Sequence, residues 1–154
     1  MKSRINFVKQ APKAVELLEA LHRYVEESGL EHPMLELVKM RASQINGCAY
    51  CLDMHSKDAR AAGETEQRLY LLNAWREAPL YSPRERAALE WTEAVTLVAD
   101  GHVPDEVYER VREQFDEKDL LNLTLAVVAI NGWNRLCIST RAEAGGYKPG
   151  MFGA

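Results

Sequence analysis

Two cysteines three residues apart, with a histidine four residues further on, are the side chains in this sequence whose types and spacing suit chemistry: Cys48, Cys51 and His55. The chemistry they point to is that of a redox-active dithiol. On a helix each residue advances about 100°, so the three fall within an arc of about 60°, stacked over two turns. Cys51 and His55 are i,i+4 neighbours, close enough to interact. Cys48 and Cys51 can close a disulfide if the first turn permits the geometry. A Cys-X-X-Cys motif and a helix N-terminus both lower a thiol pKa from its free value of about 8.5. The unpaired N–H groups of a first helical turn favour thiolate for the same electrostatic reason. His55 adds a base for the Cys51 proton, the pairing expected of an activated thiol. Glu36, on the segment before, can orient the imidazole if its helix packs antiparallel to the one that carries His55.

The elements that must position these residues read as helices throughout. Pro12 opens a first helix with Val15, Leu18, Leu21 and Val25 on one face, and Gly29 ends it. Pro33 opens a second, with Leu35, Val38, Ala42 and Ile45 along one side. Asn46-Gly47 breaks the pattern, because both residues tolerate positive φ. A third helix is expected from near Cys48 to about Ala62, closed by Gly63, and a short fourth from about Thr65 to Trp75. Ser82-Pro83-Arg84-Glu85 is a capping box that opens a fifth, running to about Asp100 and stopped by Gly101. Pro104 opens another to about Gln114. The last runs from about Glu117 to Glu143, and its middle, Leu120 to Ile130, is apolar on nearly every side. Such a helix is buried all round, by its own bundle or by another subunit. No segment alternates with a period of two. The expected fold is an all-α, single-domain bundle of six to seven helices, with a core over about 14–101 and C-terminal helices over about 104–144.

Composition narrows the function classes. The 154 residues, 47% hydrophobic and 27% charged, are enough for one globular core. The net charge of −4 and the lack of a basic block argue against a nucleic-acid partner. The apolar run Leu125 to Ile130 is far short of the roughly twenty residues of a membrane span. The first twelve residues hold no apolar stretch of the secretory kind. Three cysteines, an odd number, do not make a secreted disulfide scaffold. A cytoplasmic location is expected.

Glu36, eleven residues, Cys48, two residues, Cys51, three residues and His55 resemble the active-site pattern of the alkylhydroperoxidase D-like (AhpD-like) proteins, within the carboxymuconolactone decarboxylase superfamily. The resemblance covers roughly Ala14 to Gly101, and Asn131-Gly-Trp-Asn-Arg135 is similar to one branch of the group. It implies a helical, oligomeric protein, trimeric or hexameric, that reduces hydroperoxides with thiols and holds no bound cofactor or metal. Cys51 would then be the thiolate that attacks the peroxide oxygen and becomes a sulfenic acid, and Cys48 would resolve it as a disulfide. His55 and Glu36 would form the proton relay. A dithiol, in the best-known members on a lipoyl-bearing protein, would reduce the product. Those members carry a histidine immediately before the second cysteine, where this chain has Tyr50, a hydrogen-bonding residue placed to line the substrate pocket. The decarboxylase branch is expected to lack the cysteine pair, so Cys48 and Cys51 argue against that activity.

Three other readings stand beside this one. Cys48, Cys51 and His55 supply three zinc ligands, but Cys137, His22, His32 and His102 form no second pair to complete a structural site. The same dithiol on the same fold also suits a non-enzymatic redox sensor or a general disulfide exchanger. Cys137, isolated on the last helix, reads as core packing, and Asp53 and Asp58 read as solvated.

Overall fold

The computed structural model describes residues 2–151. These form nine α-helices and one 3-10 turn, and no strand occurs among the described residues: α1 (Phe7–Gln10), α2 (Pro12–Glu26), α3 (His32–Asn46), α4 (Ala49–Ala61), α5 (Glu66–Leu71), α6 (Pro83–Thr96), α7 (Val98–Gly101), α8 (Asp105–Arg112) and α9 (Glu117–Thr140). The all-α expectation holds. The two helices beyond the expected seven are α1 and α7, four residues each and too short to leave a periodic signal. The expected helix from Ser82 to Asp100 is two elements, α6 and α7, parted at Leu97. Its capping box is present, with Ser82 Oγ accepting from Glu85 N–H and the Glu85 carboxylate accepting from Ser82 N–H at 2.7 Å.

Helix α3 is the axis of the bundle. It packs against α4, α6 and α9, and α2 lies against α9 and pairs with α3 through Glu26 and Lys39. Leu35, Val38, Leu123, Val127, Val111 and Phe115 form the main core between α3, α9, α6 and α8. A second cluster around Leu37, Leu72, Trp75 and Leu89 closes the other flank. Because α3 is covered on nearly all sides, it buries polar residues too: Glu36, Lys39 and Ser43 are at most 4% exposed. By length and composition α9 qualifies to cross a membrane, but here it packs against α2, α3, α4, α6 and α8. It is not buried all round within this chain, since Leu121 and Val128 are 61% and 48% exposed.

Two helix ends decide how the site is built. Gly47 adopts φ +68°, ψ +34°, which turns the chain back so that α4 packs on α3. Gly47 N–H donates to Gln44 O and Cys48 N–H to Ser43 O, satisfying two carbonyls that end α3. The end of α9 uses the same motif with Arg141 at φ +58°, its N–H and that of Ala142 capping Ile138 O and Cys137 O. That is why α9 stops at Thr140 and not at the expected Glu143. The chain after it folds back onto α4, where Asp53 accepts from Gly145 N–H and Asp58 from the Tyr147 hydroxyl. Asp53 and Asp58, read as solvated, are the anchors of this segment.

The left-handed turn yields a stability prediction. No atom lies within 4 Å of a Cβ placed on Gly47, so a substitution there meets only backbone strain. Gly47→Ala is expected to lower unfolding free energy by about 1–2 kcal/mol in urea titration, with an unchanged denaturant slope.

Candidate active site

Cys48 is the hinge between α3 and α4. Its backbone is extended, at φ −83°, ψ +96°, so it is the N-cap of α4 and not a helical residue. The 60° arc drawn for a continuous helix therefore does not describe it. Its sulfur instead turns in over the first turn and accepts the Cys51 N–H at 3.4 Å. This is a sulfur version of the usual hydroxyl cap.

The other sulfur that meets this pair comes from the far end of the sequence. Cys48, Cys51 and Cys137 all place Sγ within 4.8 Å of one another, and the three residues are at most 4% exposed. Cys137 is thus not an isolated core residue. Asn134, one turn earlier on α9, fixes the register: its Nδ2 donates to Ser43 Oγ at 3.0 Å, and its Oδ1 accepts from Asn46 Nδ2 at 2.8 Å. Asn46 also donates to Asn131 Oδ1 at 3.0 Å. Ala42, Ile130, Phe7, Tyr50 and Trp133 surround the sulfurs with apolar surface. Contacts among the thiols drive their acidities apart. Hydrogen bonds from Cys137 and Cys51, with the Cys51 N–H and Asn134, pull the Cys48 thiol down to about 3 against burial. Hydrogen bonds with Cys137 and Cys48, then burial, push the Cys51 thiol up, so the thiolate expected at position 51 is disfavoured there, and Cys48 with burial pushes Cys137 up to about 12.

The second half of the site lies where α4 crosses α3. His55 Nδ1 is 3.0 Å from Glu36 Oε2, and both side chains are about 5% exposed or less. Glu36 Oε1 accepts from Lys39 Nζ at 2.8 Å, and Lys39 also pairs with Glu26. Burial works to raise the Glu36 carboxyl, but the His55 hydrogen bond and the Lys39 ammonium outweigh it and hold it at about 2. Lys39, penalised by burial, is held charged above its ordinary value by Glu36 and Glu26. Burial, then the charge of Lys39, lowers the His22 imidazole to about 4. Among the described residues His55 makes its hydrogen bond to Glu36 and none to a sulfur.

Among the described residues, donors that can hold a metal fall in two groups: the three sulfurs, and Glu26, His32 and Glu36. In the second group the Lys39 ammonium already pairs with both carboxylates. His55 does not join Cys48 and Cys51 in a cluster of that size, so the zinc ligand set drawn from the sequence is not assembled among the described residues.

Two cavities reach the site. One, of about 680 Å³, is walled by Cys48, Tyr50, Cys137, Arg141 and Glu143 among others. The other, of about 170 Å³, reaches Glu36 between Pro33, Ala59 and Arg68. Tyr50 therefore stands in the wall of the larger one. Lys39 was not singled out from the sequence, and Asn134 only as part of the Asn131–Arg135 stretch, where packing was at least as good a reading as a pocket or an interface. Lys39 was readable as the i+3 partner of Glu36, whereas nothing local to Asn134 or Cys137 pointed to residues some ninety positions away.

The sequence and fold agree with known proteins. A profile of the carboxymuconolactone decarboxylase family matches residues 12–94. The uncharacterized protein YdfG of Bacillus subtilis (strain 168) is 46% identical over 139 residues, covering 90% of this chain and 95% of YdfG. A crystal structure of a protein of unknown function from Agrobacterium tumefaciens, provisionally named for the antioxidant defence protein AhpD, superposes with a TM-score of 0.91. It is 44% identical, over 95% of this chain and all of that one. The debrominase Bmp8 shares the fold, with a TM-score of 0.80 at 16% identity over 90% of this chain and 75% of its own. The chain belongs to the carboxymuconolactone decarboxylase family, and its fold is AhpD-like.

The buried carboxylate gives a pH-dependent prediction. A carboxyl held at about 2 in the folded state, against an ordinary 4.5, stabilises the fold above pH 4.5 and loses that contribution as pH falls toward 2. Glu36→Gln, which leaves Lys39 less well paired, is expected to cost about 3 kcal/mol at neutral pH. The gap to wild type should narrow as pH falls through that window. Denaturant titrations at several pH values measure it.

Proposed function

We propose that the protein is a thiol-dependent hydroperoxide reductase. The observation that carries this reading is the buried Glu36–His55 pair, 3.0 Å apart, one turn of α4 from Cys51 in a three-sulfur cluster. A structural cysteine cluster has no use for a fixed carboxylate–imidazole couple nearby, whereas a thiol that must lose its proton on attack does.

The chemistry follows from which sulfur carries the charge. Cys51 rests as a thiol, so its attack on ROOH needs a proton acceptor. His55, oriented by Glu36, takes that proton through a bridging water or a small side-chain shift, as hydrogen bonds to a reacting group often close only with substrate bound. Cys51 sulfur takes the terminal peroxide oxygen to become a sulfenic acid, the O–O bond breaks, and the alkoxide leaves as ROH with the proton that His55 returns. Cys48 Sγ, held as thiolate, then attacks Cys51 Sγ, the S–O bond breaks, hydroxide leaves as water with a proton taken from solvent, and the Cys48–Cys51 disulfide forms. An external dithiol, of the kind carried by a lipoyl group, returns both thiols and is itself oxidised. The larger cavity supports entry of an organic hydroperoxide, and Tyr50 in its wall is placed to hydrogen-bond it. The exposed apolar side chains Leu17 on α2 and Leu121 and Val128 on α9 support a homo-oligomer assembled through helix packing. The cytoplasm, where thiols are kept reduced, suits this cycle.

An organic hydroperoxide added to reduced protein should remove two thiols per molecule, counted with a thiol reagent, and Cys51→Ser should abolish the loss. The Cys48→Ser/Cys137→Ser double variant, with no neighbouring thiol, should accumulate a sulfenic acid on Cys51 that dimedone traps. His55→Ala should slow the reaction by about 10²–10⁴-fold. An undiminished rate in His55→Ala would assign the dithiol to sensing or general disulfide exchange.

A further inference from the structure

The reaction above uses two sulfurs, and the structure gathers three. Each hangs from a different frame: Cys48 from the left-handed turn after α3, Cys51 from the first turn of α4, and Cys137 from α9. Bringing the third within 4.8 Å of the other two takes the asparagine contacts that lock α9 to the end of α3. A thiolate attacks a disulfide sulfur through a mixed disulfide, at a rate set by access and proximity. A third thiol fixed at this range makes that exchange intramolecular.

The larger cavity is an independent observation. Its wall includes Cys48 and Cys137 but not Cys51. Within the family pattern the pair to be reduced is Cys48–Cys51, yet the sulfur-bearing residues that border open space here are Cys48 and Cys137.

We infer that Cys137 is a third redox-active thiol, which exchanges into the oxidised pair and leaves a Cys48–Cys137 disulfide in the wall of the cavity. The inference rests on reading Cys48 and Cys51 as a redox pair, whatever oxidises them. In the exchange, Cys137 Sγ attacks Cys48 Sγ, the Cys48–Cys51 bond breaks, and the proton of the Cys137 thiol ends on Cys51. No electron enters or leaves. Cys51, whose surroundings favour its protonated form, is regenerated for a second attack while the oxidised bond waits beside the cavity. An external dithiol then reduces that bond to two thiols and becomes a disulfide itself.

Reduced wild-type protein is treated with one equivalent of diamide, an oxidant of thiol pairs that needs no peroxide chemistry. Remaining thiols are alkylated at low pH, and the protein is cut with trypsin and chymotrypsin. Cleavage after Tyr50 separates Cys48 from Cys51, and trypsin releases Cys137 in the peptide 136–141. The expected result is a Cys48–Cys137 linkage, with Cys51 alkylated in the same molecules, alongside Cys48–Cys51. Cys51→Ser should still lose two thiols to diamide, and Cys51→Ser/Cys137→Ser should lose none. Circular dichroism checks that both variants are folded. Cys137 found alkylated throughout the oxidised wild type overturns the inference, whatever the variants do. Failure of hydroperoxide to consume thiols, with the Cys48–Cys137 linkage present after diamide, would remove the peroxidase reading and leave the third thiol standing.

Discussion

The site depends on a single backbone event at Gly47. A residue in the left-handed region lets the carbonyls at the end of α3 be capped by the amides of Gly47 and Cys48, while the Cys48 sulfur caps the first turn of α4. One residue thereby ends a helix with its backbone and begins the next with its side chain. The reversal lays α4 along α3, and that alone brings His55, nineteen positions away, to the carboxylate of Glu36. It also puts the cap sulfur at the bundle's inner surface, where α9 can deliver another. A cysteine is a weaker cap than serine or aspartate in hydrogen-bond terms, but it is the one cap that can change its oxidation state.

Around that turn the molecule divides charge between two buried clusters. In one, Glu36 and Glu26 are balanced by Lys39, with His55 at the edge. In the other, sulfur contacts and an amide concentrate negative charge on Cys48 in otherwise apolar surroundings. Burying ions is costly unless they are paired and hydrogen-bonded. Lys39 meets that condition for the carboxylates, which leaves Glu36 ionised and able to orient an imidazole. The His55 hydrogen bond and the Lys39 ammonium together offset the burial that would otherwise favour a neutral Glu36.

Much of this was legible in the sequence, and the limit was one of distance along the chain. Pro12, Pro83, Gly47, Gly63 and the Ser82 box marked helix ends because their effect is local and steric. Glu36, Cys48, Cys51 and His55 were found because they lie within twenty residues and on helices whose pairing the Asn46-Gly47 break dictates. Cys137 packs in the core as expected, but its sulfur neighbours went unseen because they come through the packing of α9 on α3, which no spacing encodes. Asp53 and Asp58 were misread for a related reason: their partners lie in a segment set by where α9 ends, and that end is fixed by Arg141 in a conformation ordinarily left to glycine. The glycines at 145 and 146 suggested a later stop. The all-round apolar pattern of α9 was correctly seen, but hydrophobicity does not say which face another helix covers.

The segment that follows Arg141 has a consequence of its own. It forms part of the rim of the larger cavity, through Arg141, Ala142, Glu143 and Ala144, and it is stitched to α4 by Asp53, Lys57 and Asp58. Those stitches stand on the outward side of the helix that bears Cys51 and His55 on its inner side. The tail and the Cys51–His55 face are therefore mounted on opposite flanks of one scaffold element. Changes in the length or make-up of the tail can resize the opening while the sulfurs and the carboxylate–imidazole couple keep their alignment. Under the proposed function, selectivity toward what enters is in this way separable from the capacity to react with it.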